Sequence, residues 1–444
     1  MSKTTESSAL ASESSMIASN VRPLVIALIA GLTVSLAACG ESEPDDDNDE
    51  DQVEPFAEDC SVALEPGEDA EENSDAALDA LINADEGDVI CFNDGDYEFD
   101  SQLSLTVDDV EIRGESRAGV RLDFDAQDGG GNAIDVQDVE NFQIRSLTVL
   151  NTPGNGIEVR GSSGVTFDDV AVDWEGTPGV DNGAYGLYPV QSEEIVIENS
   201  VVSGASDAGI YLGQSEYGII RNNEVYENVA GIEVENSTHI DVHDNEAHDN
   251  TGGILVFNLP ELQRKEGQLT RVFDNEVYNN NRENFADSSA IVSNVPFGTG
   301  VLVLSVQDVE IFDNTIENHD SLGVAVVSYD SLRPMVDDYE DEDFYTYTER
   351  IDVHSNVIID SGNDPDVLVQ GLISEAPVAD IVWDGSYNDS VDYDERYNCF
   401  VGNEDGDGDP ATYANFAIDD EEEQDSGPEF DESCERDPLD PVDF

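Results

Sequence analysis

The sequence has little positive charge. It contains 16 Lys and Arg against 103 Asp and Glu, which gives a formal net charge of −87 over 444 residues. Nucleic-acid binding needs clustered Lys and Arg to contact phosphates, so this composition excludes nucleic acid as a partner. Acidic groups keep a surface hydrated in salt water, where ions screen their mutual repulsion. The composition therefore indicates a protein from a saline environment.

Long hydrophobic runs are also missing. The most apolar stretch, Leu24 to Ala38, has 15 residues, which is short of the roughly 20 that a transmembrane helix needs. Lys3 and Arg22 precede this stretch, and small residues end it. A basic start, a short apolar core and a small-residue end are typical of a cleaved export signal. The sequence therefore predicts a signal peptide over residues 1–38.

The end of this segment, Leu36-Ala37-Ala38-Cys39, resembles the bacterial lipobox. The resemblance implies cleavage before Cys39, acylation of that residue and anchoring to a membrane without spanning it. Gly40 is compatible with sorting to the outer membrane. We expect a lipoprotein of the outer membrane or cell surface of a Gram-negative bacterium, with an acidic linker over residues 39–57.

Cysteine is scarce, with five residues and no C-x-x-C, so zinc binding and redox catalysis by thiols are poorly supported. Four cysteines remain after Cys39, and in an exported chain they favour two disulfides. Three pairings exist, and proximity in sequence favours Cys60–Cys91 and Cys399–Cys434.

The middle of the chain repeats with a period of about 22 residues. A glycine followed by an aliphatic residue recurs at Gly186, Gly209, Gly231, Gly253, Gly300 and Gly323. An asparagine follows each glycine, at Asn199, Asn223, Asn245, Asn275, Asn314 and Asn356; the offset is 14 residues in three units and 13 in the first. Repeated side-chain amides at a turn can bond from one repeat to the next, so we interpret these asparagines as a structural ladder.

Apolar residues alternate within each unit, which predicts short strands separated by tight turns. A unit this small cannot bury its own apolar face and must stack on its neighbours. The sequence therefore predicts an all-β fold, a single-stranded right-handed parallel β-helix over residues 58–400 with about 12 coils and loop insertions. We expect a short capping helix containing Leu78, Leu81 and Ile82, opened by Asp75 or Asp79. Residues 401–444 are predicted to be an acidic, poorly structured C-terminal segment.

The stretch from Gly87 to Phe92, Gly-Asp-Val-Ile-Cys-Phe, together with the recurring Asn-Asn-Glu-Val and Asp-Asn-Glu-Val, resembles the right-handed β-helix superfamily that includes pectate lyases and mannuronan epimerases. Residues 183–192, 204–215 and 251–260 are similar to a bacterial family of exported β-helix repeat proteins of unestablished function. The resemblance covers residues 70 to 400, and it implies the fold more than an activity. The Asp-Pro-His-Asp motif of the epimerases and the Gly-His-Gly of polygalacturonases are absent.

Residues one and three after each repeat glycine are predicted to point inward, and residues two and four to point outward. The outward residues of the first units are Tyr188 and Val190, Tyr211 and Gly213, and Glu233 and Glu235. Of these, Tyr188, Tyr211, Glu233 and Glu235 form a candidate carbohydrate-binding platform. Those of later units are apolar (Leu255, Phe257, Leu302 and Leu304), and we expect the insertions at residues 258–271 and 279–299 to cover them.

Asp207, Tyr211 and Arg221 are the candidate catalytic residues. Paired carboxylates can supply the acid and base of glycoside cleavage, whereas a lyase or epimerase abstracts a proton next to a carboxylate and needs a cation. The alternative for Asp207 is a turn-capping role. Asp405, Asp407 and Asp409 are candidate calcium ligands, although the loop lacks a spaced bidentate Glu; no cofactor other than Ca²⁺ is indicated.

These features support three functions. The first is binding of a cell-surface or environmental polysaccharide. The second is a polysaccharide lyase, epimerase or glycoside hydrolase that acts on an extended polymer, including uronic-acid polymers. The third is a structural role with an exported protein partner. The sequence does not decide whether the protein is an enzyme.

Overall fold

The computed structural model describes residues 56–129, 131–332, 341, 343–371, 376–416, 425–426 and 434–444. The predicted signal peptide, Cys39 and nearly all of the predicted linker 39–57 lie outside the described residues. None of the helices in the described part of the chain has the length and apolar character needed to cross a membrane.

The described chain consists almost entirely of short strands. The N-terminal elements are a 3-10 turn (Phe56–Asp59), β1 (Val62–Leu64), α1 (Ala70–Ile82), β2 (Val89–Phe92), β3 (Gly95–Glu98), β4 (Leu103–Leu105), β5 (Glu111–Gly114), β6 (Val120–Asp123), β7 (Ile134–Gln137), β8 (Gln143–Leu150), β9 (Ile157–Arg160) and β10 (Ser163–Asp173). The central elements are β11 (Tyr185–Val190), β12 (Glu193–Glu198), β13 (Val201–Ser203), β14 (Ala208–Gly213), β15 (Glu216–Arg221), β16 (Glu224–Tyr226), β17 (Ala230–Glu235), β18 (Thr238–His243), β19 (Glu246–His248), β20 (Gly252–Phe257), β21 (Gln268–Phe273) and β22 (Glu276–Tyr278).

The C-terminal part adds the last coils and three short helices. Its elements are a 3-10 turn (Ile291–Asn294), β23 (Thr299–Leu304), β24 (Gln307–Phe312), β25 (Thr315–Glu317), β26 (Leu322–Val327), α2 (Tyr329–Leu332), β27 (Glu349–His354), β28 (Val357–Ile359), α3 (Val367–Gln370), β29 (Ile381–Trp383), α4 (Tyr393–Arg396), β30 (Cys399–Val401), β31 (Tyr413–Asn415) and β32 (Asp425–Ser426).

The strands stack in parallel on three faces, which confirms the predicted coil architecture. Face 1 contains β4, β7, β9, β11, β14, β17, β20, β23, β26, β29 and β31, with β32 antiparallel at its end. Face 2 contains β1, β2, β5, the first half of β8 and of β10, β12, β15, β18, β21, β24, β27 and β30. Face 3 contains β3, β6, the second half of β8 and of β10, β13, β16, β19, β22, β25 and β28. The twelve strands that face 2 shows among the described residues agree with the predicted coil number.

The core lies inside the coil, where equivalent residues stack on one another. Ile210, Ile232 and Ile254 occupy the same register position on successive strands, and all three are fully buried. Each such side chain contributes about 1.5–3 kcal/mol by leaving water. The predicted inward positions, one and three residues after the repeat glycines, are confirmed. Inside–outside alternation therefore fixes which side chains the outer faces present.

Two turns of the central coils are held by buried side-chain ladders. In the first ladder, the Oδ1 of each asparagine accepts from both the backbone N–H and the Nδ2 of the asparagine one coil earlier. Its members are Asn223, Asn245, Asn275, Asn314, Asn356 and Asn403. A second ladder, not predicted, joins Asn228, Asn250 and Asn280. These bonds satisfy polar groups that water does not reach.

Asn199 does not belong to the first ladder, so this part of the prediction is wrong. Its side chain is exposed at the surface and its Nδ2 donates to Asp168 at 2.7 Å. Ser200 takes the ladder position instead, because its backbone N–H donates to Asn223 Oδ1 at 3.0 Å. Ser200 stands 14 residues after Gly186, which is the offset of the ladder asparagines in the regular units. Asn199 stands only 13 residues after Gly186, and this difference already indicated in the sequence that Asn199 lies outside the ladder.

A helix covers the N-terminal end of the coil stack, and a disulfide lies near each end. Helix α1 begins earlier than predicted, because Asp69 rather than Asp75 or Asp79 caps it by accepting from the Glu72 N–H at 3.0 Å. Ala77 and Leu81 are buried against the coil, whereas Ile82 is 71% exposed and does not join the core as predicted. The structure contains both predicted disulfides, Cys60–Cys91 and Cys399–Cys434, with Cα–Cα distances of 5.8 Å.

The C-terminal strap, residues 434–444, has no helix or strand but is held along face 2. It starts at the disulfide to Cys399 on β30. Its Leu439 N–H donates to Glu310 on β24, and its Val442 N–H donates to Asp241 on β18, both at 3.1 Å. The predicted acidic segment 401–444 thus contains two strands, β31 and β32, and an extended stretch that crosses several coils.

Candidate functional site

The candidate site lies on face 1, where β11, β14 and β17 are adjacent. Alternation turns the outward side chains of these three strands to the same side of the sheet, and Tyr211 stands directly beside Glu233 in the register. We call the group formed there the tyrosine–carboxylate cluster; it comprises Tyr185, Tyr188, Asp207, Tyr211, Glu233 and Glu235.

Three tyrosine rings form one side of the cluster. The ring centroid of Tyr185 lies 4.5 Å from that of Tyr188 and 4.6 Å from that of Tyr211, and the Tyr188 and Tyr211 centroids are 4.9 Å apart. Gly213 makes this packing feasible, because a Cβ there would lie 2.1 Å from the Tyr211 ring. Tyr185 and Tyr188 are partly exposed, whereas Tyr211 is 4% exposed.

Three carboxyl groups form the other side, and each has a raised pKa. Burial, followed by the charge of Glu235, raises the pKa of Asp207 to about 7. Burial raises the pKa of Glu235 to about 7, although the Tyr211 hydroxyl donates to Glu235 at 2.8 Å and opposes the shift. Burial, then the charges of Asp207 and Glu235, raises the pKa of Glu233 well above its ordinary value. The cluster therefore retains protons near neutral pH.

Glu233 has an unsatisfied oxygen. Its side chain is 2% exposed, and Oε2 has no hydrogen-bond partner among the described residues. A buried carboxylate without partners is destabilising and is therefore rare outside functional sites. The two tyrosine hydroxyls engage the other carboxyls instead, Tyr185 donating to Asp207 at 3.4 Å and Tyr211 to Glu235.

The cluster is bounded along the coil axis by a cover. Val292 and Val295 from the insertion 279–299 pack on the apolar outward residues of face 1, which are Leu255, Phe257 and Leu304. Phe285, Ala286 and Ile291 from the same insertion belong to this apolar cluster as well. A cavity of about 160 Å³ remains beneath them. The expectation that insertions cover this half of face 1 is confirmed for residues 279–299, whereas Leu259 is the one described residue of the insertion 258–271 that packs there. The accessible part of face 1 ends at the tyrosine–carboxylate cluster.

On the opposite side of the cluster the face stays polar. Glu158 and Arg160 on β9 form an ion pair of 2.6 Å, and the pairing places Glu158 beside Tyr188. The insertion 258–271 reaches the flank of the face, where the Gln263 N–H donates to Gln214 at 3.0 Å. Sequence reasoning did not select Glu158 or Arg160, although both stand at outward positions of β9.

The structure brings together most of the predicted residues, but not all. Asp207, Tyr188, Tyr211, Glu233 and Glu235 share the cluster. Arg221 does not: it ends β15 on face 2 and pairs there with Glu198 at 2.6 Å. The predicted platform is also largely buried rather than open, since Glu235 is 6% exposed.

Tyr185 was missed. Alternation counted forward from Gly186 omits the residue before the glycine, yet that residue stacks on both other tyrosines. The sequence did contain a clue to Tyr185. The equivalent positions in the following two units are Ala208 and Ala230, so a tyrosine at this position of the first unit departs from the repeat.

The predicted calcium loop has another local arrangement. Asp405 Oδ1 accepts from the backbone N–H groups of Asp407 and Asp409, both at 2.9 Å, as in a side-chain-stabilised turn. The described residues contain one group of three side chains that could together hold a metal ion: Glu310, Asp352 and His354, on face 2. One ligand atom of each lies within 4.8 Å of the other two.

Comparison with known proteins supports the architecture. Residues 132–284 match a family model described as the right handed beta helix region. The fold is a right-handed parallel β-helix. The A-module of the mannuronan C-5 epimerase AlgE6 from Azotobacter vinelandii is similar, with a TM-score of 0.52 and 19% identity, over 75% of this chain and 81% of that one.

More distant similarities include an alginate lyase from Paenibacillus, with a TM-score of 0.41 and 16% identity over 67% of this chain and 95% of that one. A polygalacturonase from Erwinia carotovora has a TM-score of 0.43 and 13% identity, over 67% and 92%. At these identities the similarity shows the fold alone. The narrower kinship to exported repeat lipoproteins stays a prediction.

Proposed function

We propose that the protein binds a polysaccharide on face 1, at the tyrosine–carboxylate cluster. The observation that carries this proposal is the packing of three tyrosine rings beside three carboxyl groups where the cover ends, with Tyr185 bonded to Asp207 and Tyr211 to Glu235. Aromatic faces pack against the apolar faces of sugar rings, and carboxylates accept hydrogen bonds from sugar hydroxyls. The partly exposed Tyr185, Tyr188 and Asp207 would contact the sugar, supported by Tyr211 and Glu235 behind them.

The charge of the cluster favours a neutral sugar. Burial is the main cause of the raised pKa of each of the three carboxyls, and no neighbouring cation acts against it. The nearby Arg160 is already paired with Glu158. A uronic-acid polymer would bring further carboxylates into this field, which disfavours its binding. We therefore propose that the ligand is a neutral polysaccharide rather than a uronic-acid polymer.

Replacing Tyr188 by alanine is expected to weaken glycan binding at least about tenfold, because it removes the partly exposed ring and its packing on Tyr185. A glycan array, followed by calorimetric titration with the best neutral ligand, measures the effect. Tyr226→Ala is the matched control, since Tyr226 stacks on His248 on face 3. Equal loss in both variants, or a preference for alginate and pectate, would contradict the proposal.

Glycoside hydrolysis is the second candidate function, favoured by the raised pKa of Asp207. A general acid must still hold its proton near neutral pH, and a pKa of about 7 meets this requirement. Asp207 is also the most exposed of the three carboxyls. A lyase or epimerase would need a cation beside the substrate carboxylate, and Arg221 lies on another face.

If the protein hydrolyses a glycan, Asp207→Asn is expected to lower kcat at least about 100-fold, because the amide cannot donate the proton that the leaving oxygen takes up. Reducing-end release from the polymers that bind is the assay. Arg221→Ala, on face 2, serves as the control and should keep full activity. Binding without any release of reducing ends would leave the first proposal standing and remove the second.

Export and anchoring belong to the same proposal. Two disulfides are typical of a domain that folds in an oxidising compartment. We propose that Cys39 carries a lipid that holds the β-helix at the outer membrane or cell surface. Loss of palmitate labelling in a Cys39→Ala variant would support the anchor, and unchanged labelling would contradict it. A protein partner remains a proposal, to be sought by pull-down if no glycan binds.

A further inference from the structure

The tetrapeptide Ile-Asp-Val-His occurs twice on face 2, at residues 240–243 in β18 and at residues 351–354 in β27. In both copies the Ile and Val are buried in the coil, so the Asp and His side chains point outward. The copies stand in the same register of one face, joined through β21 and β24. Any difference between them must come from the residues placed beside them.

The first copy is neutralised by an arginine. Arg271 on β21 stands beside Asp241 in the register and donates to it from Nε at 2.8 Å and from Nη2 at 2.5 Å. The guanidinium also lies 4.8 Å from the Phe273 ring centroid. Asp241 therefore has a tightly bound cation of its own.

The second copy has a glutamate at the equivalent place. Glu310 on β24 stands beside Asp352 in the register, and its Oε1 lies 3.1 Å from His354 Nε2. The Leu439 N–H of the C-terminal strap donates to the other oxygen, Oε2, which fixes the carboxylate. Asp352 is 9% exposed, and its Oδ1 has no hydrogen-bond partner among the described residues.

We propose that Glu310, Asp352 and His354 form a binding site for a divalent transition-metal ion of the Zn²⁺ class. One ligand atom from each residue lies within 4.8 Å of the other two. Two ligands that are each ~2.0–2.1 Å from a tetrahedral zinc stand about 3.3 Å apart, close to the Glu310–His354 separation. An imidazole with two carboxylates suits zinc better than calcium, which prefers six to eight oxygens.

The surroundings of this site are compatible with a bound cation. The positive charge of Arg436 acts on Asp352, but this guanidinium also faces Asp308 at 3.9 Å. Arg271 is held by Asp241. The ion would join β24 to β27 and would lie directly beneath the strap, and it would occupy the buried Asp352 oxygen that nothing else among the described residues engages. This site is separate from the cluster on face 1, so it does not depend on the proposed function.

Calorimetric titration of the untagged full chain with ZnCl₂ tests the proposal. About 1 M NaCl suppresses the diffuse attraction between cations and the acidic surface. We expect one Zn²⁺ per chain, with affinity lowered at least about tenfold in Asp352→Asn/His354→Gln. The matched control is Asp241→Asn/His243→Gln, which changes the same residues in the first copy and should bind as the unaltered chain does.

Cobalt provides a second readout, because Co²⁺ bound by this ligand set absorbs visible light. The bands should appear in the unaltered chain and in the control, and they should be absent from the test variant. Circular dichroism establishes that both variants fold; if the double variant does not, Glu310→Gln replaces it. Equal Zn²⁺ affinity in test and control variants, or no saturation at one ion per chain, would overturn the proposal.

Discussion

Replacing Glu233 and Glu235 together by glutamine is expected to stabilise the protein at pH 8 by at least about 3 kcal/mol in the free energy of unfolding. The pKa of Glu235 rises from 4.5 to about 7 on folding, and each unit corresponds to about 1.4 kcal/mol. Glutamine keeps the shape of the side chain and still accepts from the Tyr211 hydroxyl, but it carries no charge to be desolvated.

The effect depends on pH in a direction that the raised pKa fixes. Between pH 4.5 and about 7 the folded protein holds protons that the unfolded chain has already lost. The free energy of unfolding of the unaltered protein therefore falls as pH rises through this range, and the full destabilisation persists above it. The glutamine variant should lose this part of the pH dependence and should match the unaltered protein near pH 4.5.

Urea unfolding at pH 4.5 and pH 8, at one high salt concentration, measures both values. Glu276→Gln/Glu317→Gln is the matched control, because it removes two charges from exposed positions on face 3. The control isolates the cluster from the general self-repulsion of an acidic protein. A stabilisation that is the same at both pH values, or equal in the control, would show that the cluster is not the cause.

Such a result would bear on function as well as on stability. A chain that keeps three carboxyls of raised pKa at the expense of stability is expected to have a use for them, since neutral replacements of similar size exist. The glutamine variant should then be more stable and less able to bind or cleave a glycan. The same two residues thus connect the folding energetics of face 1 with the proposed site.

The repeat made the coil, the inward residues and most of the asparagine ladder predictable, because stacking forces each unit to obey the same geometry. The cover was predictable only in location. Nothing in the sequence of residues 279–299 specifies that Val292 and Val295 close over face 1, so Glu233 and Glu235 were expected in water.

The separation of the outer faces was the other limit. Arg221 lies in the same repeat unit as Asp207 and Tyr211, but one coil contains three faces, and Arg221 ends β15 on face 2 whereas the other two residues lie on face 1. The C-terminal strap was missed for a different reason. Its position depends on the bond between Cys399 and Cys434 and on single contacts such as Leu439 to Glu310, which have no sequence period.

Breaking the asparagine ladder at Asn275 is expected to lower the free energy of unfolding by about 3–5 kcal/mol, because each buried polar group left without a partner costs about 1–3 kcal/mol. Asn275→Ala removes the Oδ1 that accepts from the backbone N–H and the Nδ2 of Asn245, both at 3.0 Å. It also removes the amide that donates to the Val242 carbonyl at 2.9 Å.

Two further variants separate the ladder from general damage at a turn. Asn199→Gly is the control, because Asn199 is exposed and its positive φ of 55° suits glycine, so we expect a change within about 0.5 kcal/mol. Asn275→Ser should recover part of the loss, since Ser200 fills the equivalent ladder position with its hydroxyl accepting from the Val170 N–H at 3.2 Å.

Urea midpoints rank the three variants, and hydrogen exchange locates the damage. Long repeat arrays can open in parts, so the loss of protection in Asn275→Ala should be concentrated in the adjacent coils, around β18, β21 and β24. Each coil rests on its neighbours through the same ladder, and a defect at its middle should therefore divide the stack into two less cooperative halves. Uniform loss of protection along the whole chain, or destabilisation no larger than that of Asn199→Gly, would mean that apolar stacking alone holds the coils together.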